Sequence, residues 1–342
     1  MVSGLACLDL LLGRDASVQK WKKIFLAIFQ GKLDEGQIKR LLLLLAKRGE
    51  GASEIMGCLE AVRRLEPPRR VAVPFLVDVC GTGGDGRHTF NISTVSSFVI
   101  AGAGGSVAKH GNRAVSSRAG SSDLMEALGV RLDVPFPRMR RALEECRLGY
   151  FHAPIYHPTF SRVQAVRRKL GIRTLFNLMG PLVNPLELDY QIMGVARREW
   201  LEPLANVMRS LGRRKAAVFR SEDGLDELST RAPSDILYLE GPRLRRMRLD
   251  PSRLGFSKAK EADYAGGDIR ANREIAVGIL QGRLKGPRLE IVLLNSGFVL
   301  WLVGIASNLE EGVERSGWVI RSGRAMQVLE ALRRITNARV GT

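Results

Sequence analysis

In Phe75-Leu-Val-Asp-Val-Cys-Gly-Thr-Gly-Gly-Asp-Gly86, a run with strand character, Phe75–Cys80, gives way to four glycines within six residues. Glycine carries no Cβ, so successive backbone N–H groups can close on an anion. Gly81, Gly83 and Gly86 also satisfy G-x-G-x-x-G, the dinucleotide-binding pattern. That pattern requires a helix opening directly on the glycines and an acidic ribose ligand about 20 residues later. Here Arg87-His-Thr-Phe90 intervenes, and Lys109-His110 stands where the acid is needed. The loop reads as an anion cradle at the end of a strand rather than as a dinucleotide fingerprint.

Two further elements of the same kind follow. Asn91-Ile-Ser-Thr94 opens a helix, where free amides and small hydroxyls suit phosphate. Ala108-Lys-His-Gly-Asn-Arg-Ala-Val-Ser-Ser117 comes after a short strand and supplies Lys109, Arg113, Ser116 and Ser117, with Ser121 at the start of the next helix. Successive strand-to-helix turns converge at the carboxyl ends of a parallel sheet, where α/β proteins bind ligands. Three of them between Gly81 and Ser121 point to a ligand with more than one phosphate. Asp85 is out of place beside phosphates unless it faces hydroxyls or a cation. Asp226 and Glu227, in the acidic turn Ser221-Glu-Asp-Gly-Leu-Asp-Glu227, are either a solvated acidic turn or hard oxygen ligands for Mg²⁺.

Outside these loops, residues 17–64 carry the periodicity of three short helices, and the Pro67-Pro68 pair marks a linker. Short β-rich runs then alternate with helical stretches: Ser106–Ala108, Ile192–Val195, Ala216–Phe219 and Ile236–Leu239. Phe160–Asn184 is helical with no strand signal, and Asn272–Ile335 reads as helix on helix. The expected class is α/β: a small all-helical domain plus a larger α/β domain with a mainly parallel central sheet and helices on both faces. The expected boundaries are 1–68 for the first part of the helical domain, 69–159 for the α/β domain with its phosphate loops, 160–187 for a helical-domain excursion and 188–342 for the second part of the α/β domain.

The 342 residues suit two domains, and 45% hydrophobic with 26% charged residues excludes a disordered or fibrous chain. The longest apolar run, Ile291–Ser307, is broken by Asn295 and Ser296 and reads as a buried helix rather than a membrane span. Leu10–Leu12 has no basic region before it, so a cytoplasmic protein is expected. The four cysteines, Cys7, Cys58, Cys80 and Cys146, are spaced for neither zinc nor a disulfide framework. Fifty-three basic against 35 acidic residues give a formal charge of +18, a field that favours polyanions. The basic runs, Arg243–Arg248 among them, sit in helix or turn patterns, and aromatic residues, 6% of the chain, do not interleave with them as base stacking requires.

The run from Asp78 to Gly129, with GTGGDG, TFNIST and AKHGN and a serine-rich stretch leading to Asp123, resembles the anthranilate phosphoribosyltransferase family, within the nucleoside phosphorylase and phosphoribosyltransferase fold. The resemblance continues through Ala153–Pro158, Val166–Thr174, Phe176–Pro185, Gly224-Leu-Asp-Glu227 and Val292–Asn295, so it covers almost the whole chain. It implies transfer of the phosphoribosyl group of 5-phosphoribosyl 1-diphosphate to the amine of anthranilate, in tryptophan biosynthesis, by a homodimer joined through its helical domains. It assigns the sugar diphosphate to Gly81, Gly84, Asp85, Thr89, Asn91, Ile92, Ser93 and Thr94, with Lys109, His110, Gly111, Asn112, Arg113, Ala114, Val115, Ser116, Ser117 and Ser121. Anthranilate falls to Gly81, His110, Asn112 and Arg167. Two Mg²⁺ per subunit are implied, one on Ser93 and Glu227 and a second on Asp226 and Glu227. No covalent or acid–base residue is called for; Lys109 and Mg²⁺ supply the transition-state electrostatics.

Departures from the family pattern are few: Arg220-Ser221 before the acidic turn, Ser96 and Ser97 on the helix after NIST, and Ser122 where an alanine is common. Pyrimidine nucleoside phosphorylases share the architecture, but Lys109–Arg113 and the Asp226-Glu227 pair favour the transferase. The net charge alone would also fit a nucleic-acid-binding paralogue. Asn112 and Arg167 argue against that, so nucleic acid is not the expected partner, and no membrane association is expected.

Overall fold

A computed structural model of the chain describes residues 16–114 and 119–338. Val115, Ser116 and Ser117 lie outside the described residues, as does Cys7. The chain divides into two compact units. One runs through Arg69 and includes Ala153–Pro185; the other comprises Arg70–His152 and the chain from Leu186 onward.

The first unit is built from helices. Val18–Phe29, Glu35–Arg48 and Ala52–Leu65 bury the residues that recur at helical spacing: Trp21, Ile24, Phe25, Ile28 and Phe29 on the first, and Ile38, Leu41, Leu42 and Leu45 on the second. Ser17 caps the first helix by accepting from the Lys20 amide, and Asp34 with Gln37 forms a capping box on the second. The later segment adds Ser161–Leu170 and Phe176–Leu182. Aromatic rings join the two segments: Phe25 and Phe29 lie 6.2 and 6.3 Å from Phe176, and Phe160 lies 5.7 Å from Phe29. Each such pair adds about 0.5–1.5 kcal/mol beyond the area it buries. The sequence reading starts the excursion at residue 160, whereas the chain enters this unit at Ala153. Glu66 is the reason: His157 Nδ1 donates to its Oε2 at 2.7 Å and the Thr159 amide to its Oε1 at 3.0 Å.

The second unit contains a seven-stranded sheet. Its strands are β1 Val77–Gly81, β2 Val107–Gly111, β3 Leu148–His152, β4 Tyr190–Gly194, β5 Lys215–Ser221, β6 Ser234–Glu240 and β7 Arg243–Leu249. They lie in the order β3-β2-β1-β4-β5-β6-β7. β1 to β5 are parallel, and β6 and β7 are antiparallel additions at one edge. Helices flank the sheet, with Ile92–Gly102 packing on β1, β2 and β3, and Leu201–Ser210 on β5 and β6. The chain leaves β1 toward β2 and β3, then returns to place β4 on the other side of β1. This reversal is the topological switch point, and its crevice opens at the carboxyl ends of β1 and β4.

Two strands escape the sequence reading. Arg243–Arg248, read there as helix or turn, is the edge strand β7, whose arginines are exposed while Leu249 is buried. Charge on an edge strand discourages pairing with another chain. β3 is buried at all five positions and follows Arg147, whose left-handed backbone (φ +59°) ends the helix Phe136–Cys146. Ile291–Ser307 falls largely in the buried helix Pro287–Leu302, and among the described residues no helix is long and apolar enough to cross a membrane. Cys58, Cys80 and Cys146 are free thiols.

Gly57 lets the first and third helices approach closely, because a Cβ there would overlap that of Trp21. Gly57→Ala should therefore lower the unfolding free energy by about 2–3 kcal/mol in urea titration. Gly180→Ala, where an added Cβ meets nothing within 4 Å, should leave the midpoint unchanged or raise it.

Candidate active site

The glycine-rich loop is tied across the switch point to a turn more than a hundred residues later in the sequence. The Thr82 amide donates to the Gly194 carbonyl at 2.9 Å, and the Gly83 amide donates to Asp226 Oδ2 at 2.7 Å. Gly83, Gly84 and Gly86 adopt φ of +67°, +75° and +72°, a left-handed path that suits glycine. At Gly81 a Cβ would overlap the Asp226 carboxylate, and at Gly194 it would overlap the Asp226 carbonyl oxygen. The ends of β1 and β4 thus leave room for one buried carboxylate. Arg87 closes the loop over the acidic turn, donating to the Asp223 carbonyl at 2.6 Å and to Glu261 Oε1 at 2.9 Å. From below, Asn295 clamps the turn: its Oδ1 accepts from the Leu228 amide at 3.0 Å, and its Nδ2 donates to the Leu228 carbonyl at 2.9 Å. Ser221 adds a bond from its Oγ to the Glu227 carbonyl at 2.7 Å, while Arg220 Nε donates to the Ala196 carbonyl at 3.3 Å.

The charges here are not balanced within the chain. Desolvation, with the charges of Asp85 and Glu227, pushes the Asp226 carboxyl well above the ordinary carboxylate range. Burial raises Glu227 to about 7 against the pull of Lys109 and the Ser93 amide. Asp85 Oδ2 is buried without a hydrogen-bond partner among the described residues. Ser93 donates its amide to Glu227 Oε1 at 3.2 Å, and Lys109 Nζ donates to Ser93 Oγ at 3.2 Å and to the Val79 carbonyl at 2.8 Å. Carboxylates held close in a desolvated crevice, one with an unused oxygen, fit a divalent cation. Among the described residues no three His, Cys, Asp or Glu side chains form a ready-made metal cage. Mg²⁺ does not ask for one, since it takes one or two carboxylates and completes its shell with water and substrate phosphate.

The α/β unit brings most of the other candidates to the same strand ends. Asn91 caps Ile92–Gly102, with its amide accepted by Asn272 Oδ1 at 3.2 Å. Among the described residues, Asn91 Oδ1 and Thr94 Oγ1 are buried without partners. Ile92 is buried, and Thr89 forms a backbone bridge with Ala265. Within β2 the His110 amide donates to Asp78 Oδ1 at 3.4 Å, and after it exposed Asn112 accepts the Arg113 amide on its Oδ1 at 2.8 Å. Arg113 itself pairs with Asp123 at 3.1 Å and Glu126 at 2.6 Å. Asp123 Oδ2 also accepts the Ala114 and Gly120 amides at 3.0 and 2.8 Å. Sequence reasoning quoted Asp123 and Asn295 within the family motifs without giving either a role, and it did not name Gly194; Gly194 and Asn295 act through long-range contacts that no local pattern signals.

Arg167 belongs to the helical unit. Its guanidinium donates to Gln164 Oε1 at 3.1 Å and Asn177 Oδ1 at 3.2 Å, and it lies 5.9 Å from the centre of the Phe176 ring. Burial lowers its pKa from the ordinary value. A desolvated planar cation with two of its donors fixed is prepared for a planar anion.

Phosphate-type loops around a switch point, with buried carboxylates between them, mark the chain as a transferase of the family described as "Glycosyl transferase family, a/b domain", which matches residues 74–326. An anthranilate phosphoribosyltransferase from Desulfosudis oleivorans is 42% identical over 325 residues, covering 95% of this chain and 96% of that protein. The crystal structure of anthranilate phosphoribosyltransferase from Thermus thermophilus matches with a TM-score of 0.90 at 36% identity, over 97% of this chain and 99% of that one. The Saccharomyces cerevisiae enzyme in complex with PRPP and Mg matches with a TM-score of 0.91 at 25% identity, over 98% of both chains. The chain belongs to the anthranilate phosphoribosyltransferase family.

Gly81→Ala should displace the Asp226 carboxylate and cut turnover at least about tenfold, a loss of about 1.4 kcal/mol or more in transition-state stabilisation. Calorimetry of the same variant should show unfolding within a few degrees of wild type, because the overlapping atom is the end of a side chain.

Proposed function

We infer that the protein transfers the phosphoribosyl group of 5-phosphoribosyl 1-diphosphate to anthranilate, giving N-(5-phosphoribosyl)anthranilate and pyrophosphate, in tryptophan biosynthesis. The observation that carries this reading is Asp226, its carboxylate packed on Gly81 and held by the Gly83 amide and its backbone packed on Gly194, at the switch point among three phosphate-type loops. In the reaction the ribose C1–O bond to the diphosphate breaks and a C1–N bond to the amine forms, and the nitrogen then loses a proton. The aromatic amine is neutral and nucleophilic near pH 7, so neither a covalent nucleophile nor an activating base is required. Catalysis rests on holding the two reactants in line, which can contribute about 7–11 kcal/mol.

The loop glycines and the residues Asn91–Thr94 hold the sugar diphosphate, and Lys109 faces the charge that gathers on the departing pyrophosphate. Gly84, Thr89, His110–Ala114 and Ser121 complete that binding surface. Anthranilate lies against Gly81, His110 and Asn112, with its carboxylate on Arg167. Ser93 and Glu227 hold one Mg²⁺ and Asp226 with Glu227 a second, two per subunit. Bound there, Mg²⁺ neutralises the carboxylates and the diphosphate together. We also propose a cytoplasmic homodimer. The excess positive charge steers the polyanionic substrate and requires no nucleic-acid partner; DNA binding at physiological salt that falls steeply as salt rises would favour that alternative.

With both substrates and Mg²⁺ present, anthranilate fluorescence should decay, and excess EDTA should stop the decay. Arg167→Ala should raise the KM for anthranilate about 10–100-fold, the worth of a charge-assisted hydrogen-bonded pair, with little change in the KM for the diphosphate. Folded protein with no turnover would refute the reading.

A further inference from the structure

A chain of hydroxyl groups runs beneath the third phosphate-type loop. Ser121 Oγ lies 2.8 Å from Tyr150 Oη, Tyr150 Oη lies 2.8 Å from Ser122 Oγ, and Ser122 Oγ lies 2.8 Å from His152 Nδ1. Tyr150 and Ser122 are fully buried, and Tyr150 is held protonated because burial drives its pKa far up. The chain sits tight against β2: a Cβ at Gly111 would overlap both Tyr150 Oη and Ser121 Oγ. At its outer end Ser121 Oγ is 3.4 Å from the Asn112 carbonyl, too long for a strong bond.

Counting hydrogens gives this chain a direction. Each hydroxyl can donate once. If His152 Nδ1 accepts, one ordering alone puts a hydrogen in every contact: Ser122 donates to His152, Tyr150 to Ser122, and Ser121 to Tyr150. Ser121 then offers only lone pairs to a ligand. If Nδ1–H donates, the order His152 to Ser122 to Tyr150 to Ser121 becomes available, and the Ser121 hydrogen is free to point outward. A phosphate oxygen needs a donor and is repelled by a lone pair. The charged groups acting on His152 are Arg113, Glu126 and Asp123, and desolvation with Arg113 lowers its pKa, so the choice between the orderings falls to the imidazole tautomer.

We propose that Tyr150 is a positioning residue for Ser121, and that Ser122 couples the pair to His152, so that Ser121 donates to the sugar diphosphate when His152 Nδ1 carries the hydrogen. The proposal rests on the assignment of Ser121 to the diphosphate site. Tyr150 acts through Ser121, both by fixing its rotamer and by polarising its O–H through the donated bond.

The test is a double-mutant cycle read in both Michaelis constants. Tyr150→Phe should raise the KM for 5-phosphoribosyl 1-diphosphate about fivefold, the worth of one net hydrogen bond, and leave the KM for anthranilate unchanged. In a Ser121→Ala background the same substitution should change nothing further, whereas a packing role would give the same factor in both backgrounds and overturn the proposal. His152→Ala should change the diphosphate KM, and in a Ser122→Ala background the same substitution should change it no further; an equal factor in both backgrounds overturns the coupling. If Ser121→Ala alone leaves the diphosphate KM unaltered, the site assignment beneath the proposal is what fails.

Discussion

The Asp226 carboxylate occupies space that the absent side chain of Gly81 leaves open, its backbone uses the space left at Gly194, and the rest of the crevice is organised by that fit. Gly81 ends β1 and Gly194 ends β4, and these strands are neighbours because the chain reverses direction across the sheet at this point. Neither position can carry a Cβ while the acidic turn sits where it does. The Gly83 amide then holds the carboxylate, so the glycine-rich loop and the acidic turn are fixed by one bond. Burying carboxylates near one another costs several kcal/mol unless something compensates. Lys109 compensates in part, through its position beside Ser93 and its effect on Glu227. The residual imbalance makes the apex of the crevice favourable to a divalent cation, and natural folds tolerate such local conflict chiefly at functional sites.

The helical unit is discontinuous in sequence: its second segment lies in the connection from β3, the far edge strand, to β4 beside β1. Ala153–Pro185 occupies that connection, and its rings, Phe160 and Phe176, close the aromatic cluster begun by Phe25 and Phe29. Neither segment has a complete core without the other's rings. The same insertion carries Arg167, so its orientation depends on Asn177 and Phe176 in the neighbouring helix.

Most of this was legible where function depends on local sequence. The loop after β1, the helix opened by Asn91 and the Lys109 segment are contiguous motifs, and their glycines and hydroxyls are the local pattern from which an anion site is expected. Central parallel strands also announce themselves, because burial on both faces leaves continuous apolar runs such as Ile192–Val195. β7 did not, since an edge strand exposed to solvent tolerates arginine at Arg243, Arg245, Arg246 and Arg248 and loses the apolar signature. The clamp of Asn295 on Leu228 and the chain from Ser121 to His152 join residues 67 and about 30 positions apart, respectively. Register between elements creates these contacts, and no single stretch of sequence contains it.

The formal charge of +18 acquires meaning from where the acids are. At the switch point Asp78, Asp85, Asp226 and Glu227 surround a single lysine, so the crevice is locally acidic inside a basic protein. The two fields act over different distances. Surface arginines act at about a Debye length, roughly 8 Å at physiological salt, and draw a polyanion toward the molecule. Within contact distance the crowded carboxyls, whose pKa values are raised by burial and by one another, favour a proton or a cation among them. Attraction at long range and crowded carboxyls at short range are together suited to a polyanion that arrives with its metal. The basic composition and the acidic turn, opposed as sequence signals, are parts of one electrostatic arrangement.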